Sequence, residues 1–445
     1  MTTITAPEAP AGAPVPWDRR PGLGATVRVE LVKLISQWPL RIVLIVCAVA
    51  PIAFSLFTKS EWPAGPSDTL FGRWSGTTGF AESLTLLNSA SIYGIPALAG
   101  LFAGDIFSGE DRHGTWKMLL TRSVSRTNIF LGKAIAATFC VWAGFLAVAI
   151  VSLIAGILID GGPSLVSLSG QLVPAGQAWG LVTAAWAYSL LPATAFVALG
   201  LLLSIASRST IIGVLGPLGI SAGLQVIEAL DSGQVARAIS LATTFDSWHT
   251  LFLAPGRPGT IAEGIIISLA WTVIFGGLAL YLLRKRAFAA SDTTPRLQRR
   301  AAARIIGIAA VIGVILAVIS QQGPTALTAA NLQTSLAADY AHLSVVHYEW
   351  QTGTPGQSNA PFTASCNRGS GSEKSQGAGD DWSCIVSDPR PADGVTPVTV
   401  DVTLKANGCY TASAGSDLGP LVLTNYQSRE FINPMYEFDG CIGAP

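Results

Sequence analysis

Seven apolar stretches, each close to the length that crosses a hydrocarbon core as a helix, constrain this chain more than any other feature. They lie at about 40–58, 85–104, 134–159, 179–206, 211–230, 261–283 and 303–321, and a helical crossing takes roughly 20 residues. The first, LRIVLIVCAVAPIAFSLF, follows nearly forty residues of polar start, which is the wrong placement for a cleavable signal peptide. The seventh, IIGIAAVIGVILAVIS, is short, and Ala301 to Ala303 with a snorkelling Arg304 extend it. Only 12% of the residues are charged, against roughly 25% in soluble domains. The chain therefore reads as an all-α polytopic membrane protein.

Lys and Arg placement orients the spans. Arg19, Arg20, Arg28, Lys33 and Arg41 precede span one, and Arg112, Lys117, Arg122, Arg126 and Lys133 follow span two. Arg208 sits between spans four and five, and Arg284 to Arg304 form a basic linker after span six. The N terminus is expected in the cytoplasm and the C terminus outside. The overall charge of zero then resolves into two opposed halves. Cytoplasmic parts hold 18 Lys+Arg against 7 Asp+Glu, and a terminal segment after span seven holds 5 against 12. The basic excess follows membrane topology, and no nucleic-acid partner is expected.

The cysteines agree with that topology. Cys47 and Cys140 fall within spans, whereas Cys366, Cys384, Cys409 and Cys441 all follow span seven, on the side where disulfides persist. Three pairings are open to four cysteines, with Cys366–Cys384 and Cys409–Cys441 preferred. Residues 325–350 look helical and VTVDVTL (398–404) alternates as a strand does, which predicts a small disulfide-containing α+β extracytoplasmic domain over 322–445. The expected organisation is a disordered start at 1–23, a membrane domain at 24–284, a basic linker at 285–302, span seven at 303–321, and that outer domain. Residues 24–39 predict an interfacial helix with Val27, Leu31, Leu34 and Ile35 on its apolar face, Arg28, Glu30 and Lys33 away from it, and Trp38 as an anchor. The semi-apolar 231–260 loop, carrying Trp248 and Phe252, predicts a hairpin dipping into the outer interface.

The segment DIFSGEDRHGTWKMLLTRSVSRTNIFLGK, Asp105 to Lys133, is charged yet carries an apolar knob between Gly114 and the following basic run. Thr115 is placed to cap a short helix over Trp116 to Leu120. Asp105, Glu110, Gly114, Thr115, Leu119, Leu120, Ser125, Arg126, Gly132 and Lys133 form a pattern that resembles the cytoplasmic coupling region of type-2 ABC exporter permeases. Ser123 departs from it, since a proline is usual there. The resemblance covers about residues 24–284, a six-span permease core to which span seven and the outer domain are additions. It implies a short helix that docks on a separate ABC ATPase subunit. Trp116, Met118 and Leu119 would give apolar contact, and Glu110, Arg112, Arg122 and Arg126 would set register. It also implies a second permease copy or a homologous permease, and ATP and Mg used by the partner, with no cofactor on this chain.

Other chemistry is sparse. Gly132-Lys133 is followed by Ala134 and lacks the upstream glycine of a phosphate-binding loop. The LSGQ at 168–171 is attached to no ATPase domain. His113, His249, His342 and His347 make no metal-ligand spacing, and no catalytic residues are predicted. Asn88, Gln225 and Glu228 are candidates for a translocation pathway, while Glu82, Glu228 and Glu263 are expected near the outer boundary within reach of water. Gly100 with Gly104, and Gly219 with Gly223, permit close helix contact, the second pair either within the chain or at the seam with a second permease half, where the family resemblance puts span five. The leading expectation is the permease subunit of an exporter of hydrophobic or amphipathic substrates in a bacterial cell membrane. The alternative is a membrane-anchored sensor with a ligand-binding extracytoplasmic domain.

Overall fold

A computed structural model describes residues 22–61, 74, 77–116, 125–162, 164–169, 172–229, 240–253, 258–286, 327–356, 362–369, 376–387, 397–405, 408–414, 422–426, 428 and 430–442. The expected seventh span at 303–321, residues 1–21 and most of the 285–302 linker lie outside these.

Helix α1 is Leu23–Ser36, and α2, Trp38–Glu61, follows after the break at Gln37. Pro39 sits in the first turn of α2, where no helical donor is lost. The next rod, α3, spans 79–104 in four pieces: α-helical Gly79–Ser89, a π turn at Ala90–Gly94, α-helical Ile95–Ala99 and a second π turn at Gly100–Gly104. Pro96 has no N–H to give to the Ile92 carbonyl one turn earlier, so the ladder slips there. The released carbonyl accepts from Ser221 Oγ at 3.0 Å. A short helix α4, Ser108–His113, ends at Gly114, whose φ of 66° is left-handed.

Helix α5, Arg126–Asp160, begins where Ser125 Oγ accepts from the Asn128 N–H at 3.1 Å. A two-residue hairpin, β1 (Leu165–Val166) and β2 (Leu172–Val173), leads into α6, Ala175–Ser207. Arg208, in the left-handed region at φ 55°, turns the chain into α7, Thr210–Ala229. Helix α8, Leu241–Asp246, runs into a 3-10 turn at Ser247–Phe252, and α9 is Pro258–Lys285. Five of these rods are long and apolar enough to cross a membrane: Trp38–Ser60, Gly79–His113, Arg126–Asp160, Ala175–Ser207 and Gly259–Lys285. The expected fifth span is a shorter apolar helix, Thr210–Gln225 within α7.

Helix α3 meets α7 backbone to backbone. A Cβ at Gly104 would overlap the Gly213 carbonyl, and one at Gly100 the Val214 carbonyl. Gly100 and Gly104 thus pack as expected from their spacing. Among the described residues of the chain Gly219 and Gly223 meet nothing within 4 Å, and Gly213 supplies the α7 side of the contact. The predicted outer hairpin is, among the described residues, α8 with its 3-10 turn. Trp248 and Phe252 are buried in it rather than set in an interface, and it plugs the space against α6, α7 and α9.

The terminal domain pairs α10, Ala329–Thr352, with an antiparallel sheet in the order β3-β4-β5-β6-β9. Its strands are β3 (Thr363–Arg368), β4 (Gly379–Ser387), β5 (Val398–Leu404), β6 (Cys409–Ser413) and β9 (Glu437–Cys441). Strands β7 (Val422–Thr424) and β8 (Glu430–Ile432) make a separate pair. In β5 the alternate residues Val398, Val400, Val402 and Leu404 are buried, on the face that receives Leu332, Leu336 and Leu343 of α10. Cys366 is bonded to Cys384 and Cys409 to Cys441. Each bond joins residues directly opposite on neighbouring strands.

Candidate functional site

The Asp105–Lys133 segment lies at the end of the bundle that carries α1. Its centre is Lys133, whose side chain is 0% exposed and whose Nζ donates to Glu30 Oε2 and to Glu110 Oε1, each at 3.0 Å. Lys33 also donates to Glu110, as does the Thr115 hydroxyl. Two carboxylates and one ammonium have left water here, which is tolerable only because each is paired. The node fastens α1, α4 and α5 together. Packing allows the close approach, for Gly132 faces Thr26 of α1 with no room for a Cβ.

This arrangement revises several expectations. Glu30 does not share the water-facing side of α1; it is buried with Leu34, while Val29, Val32 and Ile35 form the exposed apolar stripe. Lys133 lies in the second turn of α5 rather than before the span, because that helix already starts at Arg126. Glu110, expected to set register with a partner, is consumed inside the node. Trp116, expected as an apolar docking contact, is only 6% exposed. It stacks on Phe107 at 6.1 Å, and the Arg286 guanidinium lies 5.5 Å from its ring, a cation–π arrangement. The Thr115 hydroxyl donates to Glu110, and beyond Trp116 the helix it was expected to cap lies outside the described residues.

Arg126 is likewise used within the chain. Its Nη1 donates to the carbonyls of Arg284 at 2.9 Å and Arg286 at 3.0 Å, satisfying the C-terminal end of α9 and placing a cation at the negative end of its dipole. Arg286 pairs in turn with Asp111. Asp105 accepts from Thr210 Oγ1 at 2.7 Å and faces Arg112 at 3.7 Å. Ser204 Oγ of α6 accepts from the N–H groups of Phe107 and Ser108 at 3.2 and 3.0 Å. The turn after α3 is therefore anchored to α1, α5, α6, α7 and α9. Arg112, His113 and Gly114 remain exposed, while Met118, Leu119 and Arg122 lie outside the described residues.

The pathway candidates fall on facing helices. Ile92 and Ser221 join α3 to α7, and Asn88 and Gln225 each lie one turn further along from that bond, away from the α1 end. Both are half-buried; the Glu228 side chain lies outside the described residues. Glu82 departs from its expected place near water. It is 1% exposed, beside Thr58 Oγ1 at 3.4 Å, while Asp160 pairs with Lys59 at 2.9 Å. Sequence reasoning missed the roles of Glu30, Asp160 and Arg286, whose partners lie far away along the chain. For Glu30 and Asp160 the faint signal was an acidic residue inside or beside an apolar run; Arg286 was one cation in a basic run.

No curated protein matches the chain. Residues 26–216, from α1 into the first turns of α7, match the model of a family described as ABC-2 family transporter protein. The similarity to ABC-2 family transporter proteins covers less than half of the chain and stops short of the terminal domain.

Proposed function

We propose that the chain is the permease subunit of an ATP-binding-cassette exporter. It couples ATP hydrolysis on a separate ATPase subunit to efflux of a hydrophobic or amphipathic substrate. The α1 end faces the cytoplasm in this reading, since the Lys- and Arg-rich connections gather there. The observation that carries it is the buried node of Glu30, Glu110 and Lys133. It makes the short α4 turn a rigid lever on α1 and α5, so that force applied at α4 moves whole spans. A segment serving topology alone needs no buried ion pairs.

The ATPase-facing surface is then the exposed Arg112–Gly114 corner with the residues that follow Trp116, including Met118, Leu119 and Arg122. Trp116 itself is withdrawn from that surface by its burial. Two permease copies, or this chain with a homologous permease, complete the transporter in a bacterial cell membrane. Asn88, Gln225 and Glu228 are assigned to the substrate path along α3 and α7.

The test is co-expression with a candidate ABC ATPase followed by purification in nanodiscs. Wild type is expected to retain the ATPase, and Arg112→Glu to lose most of it without a change in melting temperature. Joint substitution of Asn88 and Gln225 by Ala is expected to alter substrate-stimulated ATPase turnover across a lipid and drug panel. Equal retention by wild type and Arg112→Glu would remove the docking assignment, and unaltered kinetics in the second variant would remove the pathway.

A further inference from the structure

The terminal domain is bound to the membrane domain at the end opposite the charge node. Asp439 of β9 makes the junction: its N–H donates to the Leu168 carbonyl at 3.1 Å, and its Oδ2 lies 3.2 Å from His249 Nδ1. Its remaining carboxylate oxygen accepts from Thr411 Oγ1 at 2.6 Å, which fixes the rotamer. A few residues away, Lys405 Nζ pairs with Asp246 Oδ2 at 2.6 Å. Burial pushes the Asp246 carboxyl up, yet the Lys405 ammonium and His249 outweigh it and hold the group below the ordinary carboxylate range. Strand β4 also packs against α7. The terminal domain therefore bridges three separate elements: the α5–α6 hairpin, the α8 plug and α7.

Those elements surround the far end of the helices that carry Asn88 and Gln225. The seam leaves a cavity of only about 10 Å³ between the two parts, room for a single water. It is a closed contact rather than a ligand pocket. Any movement that separates the α5–α6 hairpin or α7 from the plug must break bonds to Asp439 or Lys405, or carry the terminal domain along.

We infer that the terminal domain is a lid on the exit end of the permease, clasped shut by Asp439–His249 and Lys405–Asp246, and that the clasp opens during each export cycle. The inference rests on the exporter reading above, which supplies the direction of transport. It concerns this chain's own added domain, which lies beyond the matched residues.

Hydrogen exchange of the full chain, with its ATPase partner in nanodiscs, tests the clasp without needing the substrate. Asp246→Lys is expected to speed exchange in residues 240–253 on the order of tenfold, as local opening follows loss of a part-buried ion pair. The swap Asp246→Lys with Lys405→Asp is expected to return it towards wild type, which separates an opened clasp from a misfolded plug. ATPase turnover is expected to rise in the single variant and fall back in the swap. Unchanged exchange in the single variant, or no recovery in the swap, would overturn the clasp. Faster exchange with unchanged turnover would overturn the lid and leave the permease reading standing. A wild-type chain that supports no ATPase turnover would remove the exporter reading and the lid with it, with the exchange data still reporting on the contact.

Discussion

At the scale of single residues, Lys133 is the one on which most others depend. Without its ammonium, Glu30 and Glu110 would face each other in a dry site with only the half-exposed Lys33 nearby. Removing one member of a buried pair costs about 3–5 kcal/mol, so Lys133→Met is expected to melt far below wild type in detergent. Adding Glu30→Gln and Glu110→Gln is expected to recover much of the loss, because no uncompensated charge then remains. A Lys133→Met chain that melts like wild type would show that the node is not formed. Such a residue could not be recognised from local pattern. Lys133 looks like one more positive-inside lysine until Glu30, 103 residues earlier, is placed beside it. Trp116 misleads in the same way. An aromatic in a basic loop reads as an exposed anchor, and only Arg286 arriving from the end of α9 turns it into a buried support.

His347 gives a titration at the same scale. It lies in α10 with Nδ1 at 3.1 Å from Met435 Sδ, and burial holds its imidazole below the ordinary value. Burial lowers His342 too, partly offset by Glu349. A depressed folded value favours the neutral ring. The contribution to stability is therefore complete above the unfolded value of about 6.5 and is lost as pH falls through the folded one. Protection of β5 and β6 in the full chain, taken against the intrinsic exchange rate at each pH, is expected to fall between pH 7.5 and 5, with a shallower dependence in His347→Gln. An identical slope in both would assign the acid sensitivity elsewhere.

At the scale of elements, apolar length and alternation were legible and contact identity was not. Four of the rods long enough to cross, and the α7 helix, start and stop within a few residues of where hydropathy alone ends, apart from α3 and the early start of α5. The burial of β5 follows the alternation of VTVDVTL residue by residue. Small-residue spacing was right for Gly100 and Gly104, while Gly219 and Gly223 make no contact within the chain among the described residues. Spacing reveals that a helix face is smooth, but the crossing point depends on where the partner helix enters. Here Arg208, in its left-handed turn, starts α7 close to α3, and the contact falls at Gly213. Gly104→Val is therefore expected to force α3 and α7 apart, at a cost of about 1–3 kcal/mol or more for overpacking. Gly219→Val, with open space at its Cβ, is expected to leave the melting temperature unchanged. Equal losses in both would mean that α7 is packed along its whole length.

At the scale of the whole molecule, the two charge clusters sit at opposite ends of one bundle and are built differently. At the α1 end a single buried lysine ties three helices within one domain. At the far end, the buried Asp439–His249 contact and the part-exposed Lys405–Asp246 pair join two domains, and contacts between domains open more easily than those within one. The Cys409–Cys441 bond couples the second cluster to the sheet, since β9 carries Asp439 and is held at the sheet edge beside β6. The bond closes a chain separation of 32 residues, for which loop entropy gives about 3–4 kcal/mol. Without it an edge strand of five residues has only one neighbour and frays first. Mild reduction of the full chain in nanodiscs is accordingly expected to quicken exchange in 437–442 and, through Asp439, in the plug at 240–253. The interior strand β5 is expected to keep its protection. Cys409→Ser with Cys441→Ser is expected to reproduce that pattern without reductant. Faster exchange at β9 with an unaffected plug would mean that Lys405 and Asp246 hold the two domains together on their own.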